Sequence, residues 1–325
     1  MSMYTAIQNS AEQFSFNPDI VNAEKLRSAS RYVLVGMGGS HLAADLLKIA
    51  KPDLDMVVHR GYGLPSLTPE DMSERLIISS SYSGNTEEVL DAYKKAGELG
   101  LNRAVLSIGG TLIERAKKDS VPYIQMPDSG IQPRSALALN LKGLLKLIGE
   151  ESMLKKISTL AQSFRPRDLE EEGKQLAELL RDHVPVIYAS EKNQSLAYNW
   201  KIKFNETGKI PAFYNTFSEL NHNEMTGFDV KDSTRTLSEK FVFIFIRDPD
   251  DHPQIKKRMD VTATLYRDRK LRTHDIKLSG DSVFHAIFNT LTIADFAAYF
   301  TAEGYGLESE QVPMVEEFKK LIARD

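Results

Sequence analysis

The segment Ser79-Ser80-Ser81-Tyr82-Ser83-Gly84-Asn85-Thr86-Glu87-Glu88 decides how the rest of the chain is read. The apolar run Leu76-Ile77-Ile78 leads into it, and the pattern Val89, Leu90, Ala96, Leu99 leads out with helical spacing. The reading is a buried strand, a hydroxyl-rich turn and a helix, with Thr86 as N-cap and acids in the first helical turn. Main-chain N–H groups and the positive end of a helix suit an anion, and several hydroxyls converging there fit a phosphate monoester. An ordinary serine-rich strand–turn–helix join would look much the same, so a second feature is needed to separate the two readings.

Upstream, Tyr32-Val33-Leu34-Val35 forms a strand that ends in Gly36-Met37-Gly38-Gly39-Ser40, followed by an amphipathic helix through Leu42, Leu46, Leu47 and Ile49. A dinucleotide fingerprint requires a third glycine where His41 stands, and His59-Arg60 ends the next strand where an acid is wanted. A P-loop is excluded because no Gly-Lys-Ser/Thr follows. What remains is a turn in which Gly38 and Gly39 admit a ligand close to backbone, with Ser40 capping the helix and facing the ligand. Further strands are expected at 54–59, 76–81, 104–108 and 122–126, short helices at 19–29 and 111–118, and a long apolar helix at 135–148. Strands alternating with helices call for a parallel, doubly wound sheet, and both donor-rich turns lie at carboxyl ends of strands, where such sheets place ligands. The loop Pro127 to Ser135 delivers Arg134 to a helix start, where the dipole disfavours a cation, so a role beside substrate charge is the better reading.

Composition sets limits. The 325 residues are 42% apolar and 26% charged, ordinary for a globular chain of about two domains. A net charge of −4 with no basic tract argues against nucleic acid. Cysteine is absent, which removes disulfides and thiolate nucleophiles. No signal peptide is expected at Met1 to Phe14 and no run of about 18 apolar residues is expected to span a membrane, so the default is cytoplasmic. Asn205-Glu206-Thr207 has the form of a glycosylation sequon, which means nothing without secretion.

Beyond the charged, strandless stretch 150–172, the alternation resumes. Strands are expected at 184–189, 212–215, 241–246 and 271–276, with helices at 194–207, 255–265, 283–301 and 312–324. An internal duplication is plausible, but the turn Ala189-Ser190-Glu191-Lys192 carries a carboxylate where the first half has Gly-Gly-Ser. The reading is one phosphate site per chain, built from Gly38, Gly39, Ser40, Ser81, Ser83 and Thr86 in the first half.

Val35-Gly36-Met37-Gly38-Gly39-Ser40 and Ser81-Tyr82-Ser83-Gly84-Asn85-Thr86-Glu87-Glu88 resemble the sugar isomerase (SIS) domain. Together with Pro133-Arg134-Ser135-Ala136, Phe204-Asn205-Glu206 and Glu219-Leu220-Asn221-His222-Asn223-Glu224-Met225, they resemble the bifunctional phosphoglucose/phosphomannose isomerase family over nearly the whole chain. The resemblance implies two three-layer αβα SIS domains with flavodoxin-like sheets, at 1–152 and 153–325, in a homodimer. It also implies an aldose–ketose isomerase acting through a cis-enediol, with Glu206 as the base, Arg134 beside the developing charge, and no cofactor or metal. His222 would open the sugar ring from the neighbouring subunit, and Lys319, rather than the adjacent Lys320, would be the lysine of the last helix. The family's threonine is not evident in Glu310-Gln311-Val312-Pro313, which bears on mannose 6-phosphate more than on glucose 6-phosphate. Read without the resemblance, Glu206 is an exposed helical glutamate paired with Lys203 or Lys209, and His222-Asn223-Glu224 supplies two weak metal ligands at most. A sugar-phosphate sensor without turnover and an isomerase of another phosphosugar stay open as alternatives.

Overall fold

The computed structural model describes residues 1–322, which divide into two compact units. One comprises Gln8–Arg165 with Met1 and Val283–His285; the other comprises Ser2–Ile7, Pro166–Ser282 and the chain from Ala286 on.

The first unit is built on β1 (Arg31–Val35), β2 (Met56–His59), β3 (Arg75–Ser80), β4 (Asn102–Ser107) and β5 (Tyr123–Gln125). They form one parallel sheet in the order β2-β1-β3-β4-β5, the flavodoxin-like order, which switches direction between β1 and β3. Parallel strands must be covered on both faces, and all six residues of β3 are buried accordingly. On one face Val33, Val35, Ile77 and Val105 pack against Val89, Ala92 and Tyr93 of the Glu87–Glu98 helix and Leu112 of the Gly110–Asp119 helix. Across β1 and β3, Leu34 stands opposite Ile78 and Val35 opposite Ser79, so both strands release their chains at the same edge.

The second unit repeats the winding with β6 (Val184–Ser190), β7 (Phe213–Phe217), β8 (Phe241–Arg247) and β9 (Arg272–Lys277), all parallel, in the order β7-β6-β8-β9. Its core is aromatic. Phe243 lies 4.4 Å from Tyr266 and Tyr188 5.6 Å from Phe245 between ring centroids, the offset range in which such pairs add to burial. The 22-residue helix Val283–Gly304 is long and apolar enough to cross a membrane, contrary to expectation, because its few polar residues are spread along an apolar core. It is a core helix here: 61% of its most apolar window is buried, and its Asp295 takes a 2.5 Å bond from the buried Lys203.

Several local expectations change. The stretch 19–29 forms only a single turn of 3-10 helix, Ala23–Lys25, since it lacks an apolar stripe to bury. The strandless stretch 150–172 is helical, through Glu151–Ser158 and Leu160–Ser163 into Glu170–Leu179. The final helix runs Pro313–Ile322; its expected extension to Arg324 lies outside the described residues.

Candidate active site

At the switch point of the first sheet, β1 ends in a turn whose Gly38 has φ +50°, and the helix Gly39–Ala50 begins at once. Gly39 is required by a close approach: a Cβ there would lie 2.6 Å from the Pro133 carbonyl oxygen and 2.9 Å from the Arg134 nitrogen. The glycine turn and the Arg134 loop are therefore packed backbone to backbone. Arg134 sits in the single 3-10 turn Pro133–Ser135 and is buried at 4% exposure, so it is not a solvated arginine at a helix start. Gln13 fastens this turn by donating from Nε2 to the Ser135 carbonyl at 2.8 Å, a contact with no signature in the sequence.

Ser40 does not cap its helix. Gly38 holds that position, and the buried Ser40 Oγ accepts from the Tyr82 N–H at 2.9 Å while the Ser40 carbonyl accepts from Ser80 Oγ at 3.1 Å. It thereby pins the first donor-rich turn to the second. Thr86 does occupy the N-cap of Glu87–Glu98, yet its hydroxyl pairs with Ser81 Oγ at 2.8 Å instead of capping. Ser81 is fully buried and also accepts from the Gly84 N–H at 3.1 Å; the hydroxyl-to-hydroxyl bond wins because Ser81 has no water to turn to. Gly84, at φ +74°, would place a Cβ 1.8 Å from the Gly109 carbonyl oxygen, so the loop after β3 rests directly on the loop after β4. Asn85 completes that join by accepting from the Thr111 N–H at 3.1 Å. Ser83 and Gly38 stay exposed at the mouth. The structure thus brings Gly38, Gly39, Ser40, Ser81, Ser83, Thr86 and Arg134 to one sheet edge. Sequence reasoning missed Asn85 as the brace between loops, although it stands inside the quoted segment.

The corresponding edge of the second sheet has a different chemistry. After β6, Lys192 Nζ bonds Asp248 Oδ2 at 2.8 Å, and Asn193 Nδ2 donates to the same oxygen at 2.9 Å and to Ser190 Oγ at 3.1 Å. The Asp250 N–H closes on Asp248 Oδ1 at 2.8 Å. Burial works against the Asp248 carboxylate, but these bonds hold its pKa below the ordinary carboxylate range, whereas burial pushes Asp251 up. The place is filled by an internal ion pair.

The remaining candidates lie in the second unit, each held by its own bonds. Glu206 is the last residue of the helix Gln194–Glu206 and is half-buried. Of the two lysines considered as its partners, Lys203 bonds Asp295, and Lys209 Nζ reaches the main-chain carbonyls of Glu206, at 2.5 Å, and of Gln311. His222 is exposed on the turn after β7, with its N–H on the Glu219 carbonyl at 2.9 Å. Lys319 is exposed on the last helix, where Nζ lies 2.9 Å from Glu316 Oε1.

Two doubly wound parallel sheets, one carrying a donor-rich turn at its switch point, define the class as a double-SIS α/β protein. A family model described as the bacterial phospho-glucose isomerase C-terminal SIS domain matches residues 169–322. The chain is 31% identical to a bifunctional phosphoglucose/phosphomannose isomerase of Caldicellulosiruptor bescii, over 99% of each chain. It is 29% identical to another from Aquifex aeolicus, over 99% of this chain and 98% of that one. Among solved structures, the C-terminal domain of glucosamine-fructose-6-phosphate aminotransferase from Francisella tularensis superposes with a TM-score of 0.71 at 15% identity, covering 95% of this chain and 98% of that one. The chain belongs to the bifunctional phosphoglucose/phosphomannose isomerase family, whose enzymes are intramolecular oxidoreductases.

Proposed function

We propose that this protein interconverts glucose 6-phosphate and fructose 6-phosphate, and mannose 6-phosphate as a second aldose, with the phosphate held by the first half and the proton moved by the second. The observation that carries this is the convergence of the Gly38–Ser40 turn, the Ser81–Thr86 loop and buried Arg134 on one sheet edge, in a chain related over its full length to enzymes of that name.

In the reaction, Glu206 takes the C2 proton of the open-chain aldose as electrons move onto the carbonyl oxygen, giving the cis-enediolate; the hydroxyl proton on O2 passes to O1, the carbon proton is delivered from Glu206 to C1, and C2 becomes the ketone. Arg134 offsets the charge that builds on the enediol oxygens. His222 passes a proton between the ring oxygen and the anomeric hydroxyl to open the ring, which an imidazole can do because its ring nitrogens both donate and accept. Lys319 accompanies these groups from the last helix. The acidic filling of the second switch point supports a single phosphate site per chain.

The reading includes a homodimer in which His222 serves the partner's site. Two features support it. His222 points from an exposed turn, and the helix Pro313–Ile322 buries no residue while carrying Met314 at 82% exposure and Phe318 at 59%, with Val315, Leu321 and Ile322 also exposed. Sedimentation at micromolar concentration is expected to give twice the chain mass. The reading also places the enzyme in the cytoplasm, where charged sugar phosphates are retained because they cross a bilayer poorly.

Incubation with fructose 6-phosphate in deuterium oxide, followed by proton NMR, tests the reading. Deuterium is expected at the C1 position of the ketose and the C2 position of the aldoses formed. Tight binding of fructose 6-phosphate with no deuterium incorporation would replace the enzyme reading with a sensor.

A further inference from the structure

The turn that carries His222 stands on a half-buried acid that the reaction itself leaves unused. Glu224 is two residues on, and both of its carboxylate oxygens are taken from below. Tyr188, wholly buried in β6, donates its hydroxyl to Oε1 at 2.5 Å, and Asn215, on β7, donates Nδ2 to Oε2 at 2.6 Å. Tyr266 stands behind Tyr188 at 3.3 Å between hydroxyls. The other polar side chains of the turn are tied down as well. Asn221 Nδ2 donates to Thr262 Oγ1 at 2.9 Å, while its Oδ1 accepts from Arg258 at 3.3 Å. Asn223 Nδ2 donates to Glu219 Oε1 at 2.6 Å, and Asn223 Oδ1 accepts from the Glu224 N–H at 2.5 Å. Among the described residues, His222 is the one side chain of the Asn221–Glu224 run turned to solvent without a bond.

We infer that Glu224 is a positioning residue: clamped by Tyr188 and Asn215, it fixes the main chain two residues from His222 and so sets where the imidazole stands for ring opening. The inference rests on the reading of His222 given above. Its physical basis is that a carboxylate accepting two short bonds from donors on adjacent strands has no rotational freedom left to pass on to the turn. Tyr188 remains a donor throughout the working range, because burial first, and then Tyr266 and Glu224, hold its phenol well above its ordinary pKa.

Two ketose phosphates separate this role from a general structural one. Fructose 6-phosphate is largely cyclic and needs its ring opened, whereas 5-deoxyfructose 6-phosphate has no hydroxyl able to close a ring. Glu224→Ala is expected to slow deuterium exchange at C1 of fructose 6-phosphate by roughly 10–100-fold, the scale of a small misplacement of an acid–base group. Exchange into the 5-deoxy compound should stay within about twofold of wild type, since ring opening is not asked of it. His222→Ala should show the same selectivity, and the double variant should be no slower than His222→Ala, because the two residues act as one unit. Tyr188→Phe, which keeps the ring in the core, should give a weaker version of the same pattern if Glu224→Ala does not fold. Equal losses on both ketoses, or multiplicative losses in the double variant, would overturn the positioning role. A wild type that exchanges neither ketose would overturn the isomerase reading itself, and this inference with it.

Discussion

The two sheets of this protein wind in the same order, 2-1-3-4, yet they end in opposite chemistries where the order reverses. The first sheet opens its switch point with Gly38, Gly39 and a run of hydroxyls, and Arg134 is buried beside them. The second closes its switch point with Lys192 bonded to Asp248 and Asn193 bonded to both Asp248 and Ser190. Both sites satisfy buried polar groups; at the first, Ser83 and Gly38 stay exposed at the mouth, while at the second the exposed Lys192 is already bonded to Asp248. The Asp248 carboxylate at that place is already taken up by Lys192, Asn193 and the Asp250 N–H. The lesson is that two like windings can differ in what fills the crevice, since the crevice itself comes with the winding.

The sharpest way to break this comparison is to remove chemistry from one half without touching the grip of the other. Glu206→Gln should lower kcat by about 10²–10⁴-fold, the contribution of a positioned base, while the dissociation constant of fructose 6-phosphate stays within a few-fold by calorimetry. A parallel loss of binding would mean that Glu206 belongs to the grip.

The second half's crevice offers the converse test. Asp248→Ala frees Lys192, which is 40% exposed and can turn to water, but strands the buried Asn193, so it should cost about 1–3 kcal/mol in urea unfolding, with KM unchanged at temperatures where the protein is folded. A large change in KM would show that this crevice also meets substrate.

Buried cations sharpen the contrast further. In the second half Lys203 has a carboxylate partner in Asp295, whereas Lys142 in the first half has the Phe14 carbonyl, and burial lowers its pKa to about 8. A lysine whose folded pKa lies below its unfolded value penalises the fold while charged. The penalty is full below about pH 8 and is relieved as pH rises toward 10.5, because over that window the unfolded chain holds the extra proton. Unfolding free energy measured from pH 7 to 10 should therefore contain a rising contribution on the order of 2 kcal/mol that Lys142→Met abolishes.

The smallest expected effect concerns single hydroxyls. Ser83→Ala should raise KM roughly tenfold, the worth of one hydrogen bond to a charged group, with kcat little changed. Ser190→Ala, its counterpart at the second crevice, should leave KM alone. Equal effects of the two would erase the distinction between the halves.

Much of this was legible in the chain. Apolar, β-branched runs such as Leu76-Ile77-Ile78 and Phe241 to Ile246, bounded by turn residues, read as strands buried on both faces, and the structure makes them β3 and β8. The sequence places the difference at Glu191, but the acid bonded at the second crevice is Asp248, while Glu191 accepts from Thr216. What could not be read were bonds between residues distant in sequence. Nothing local says that Ser40 Oγ will accept from Tyr82 in place of capping its own helix, that Gln13 will hold the Arg134 turn, or that Tyr188 and Asn215 will meet on Glu224. The helix Val283–Gly304 shows the reverse limit: its composition alone fits a membrane span, and only packing shows it to be core.

The division of labour is tested most directly by a crystal structure with fructose 6-phosphate bound to Glu206→Gln. The account predicts the phosphoryl group within hydrogen-bonding distance of the Gly38–Ser40 turn and of Ser81, Ser83 and Thr86. A phosphoryl group seated at Ser190, Lys192 and Asn193, or sugar carbons lying away from residue 206, would contradict it.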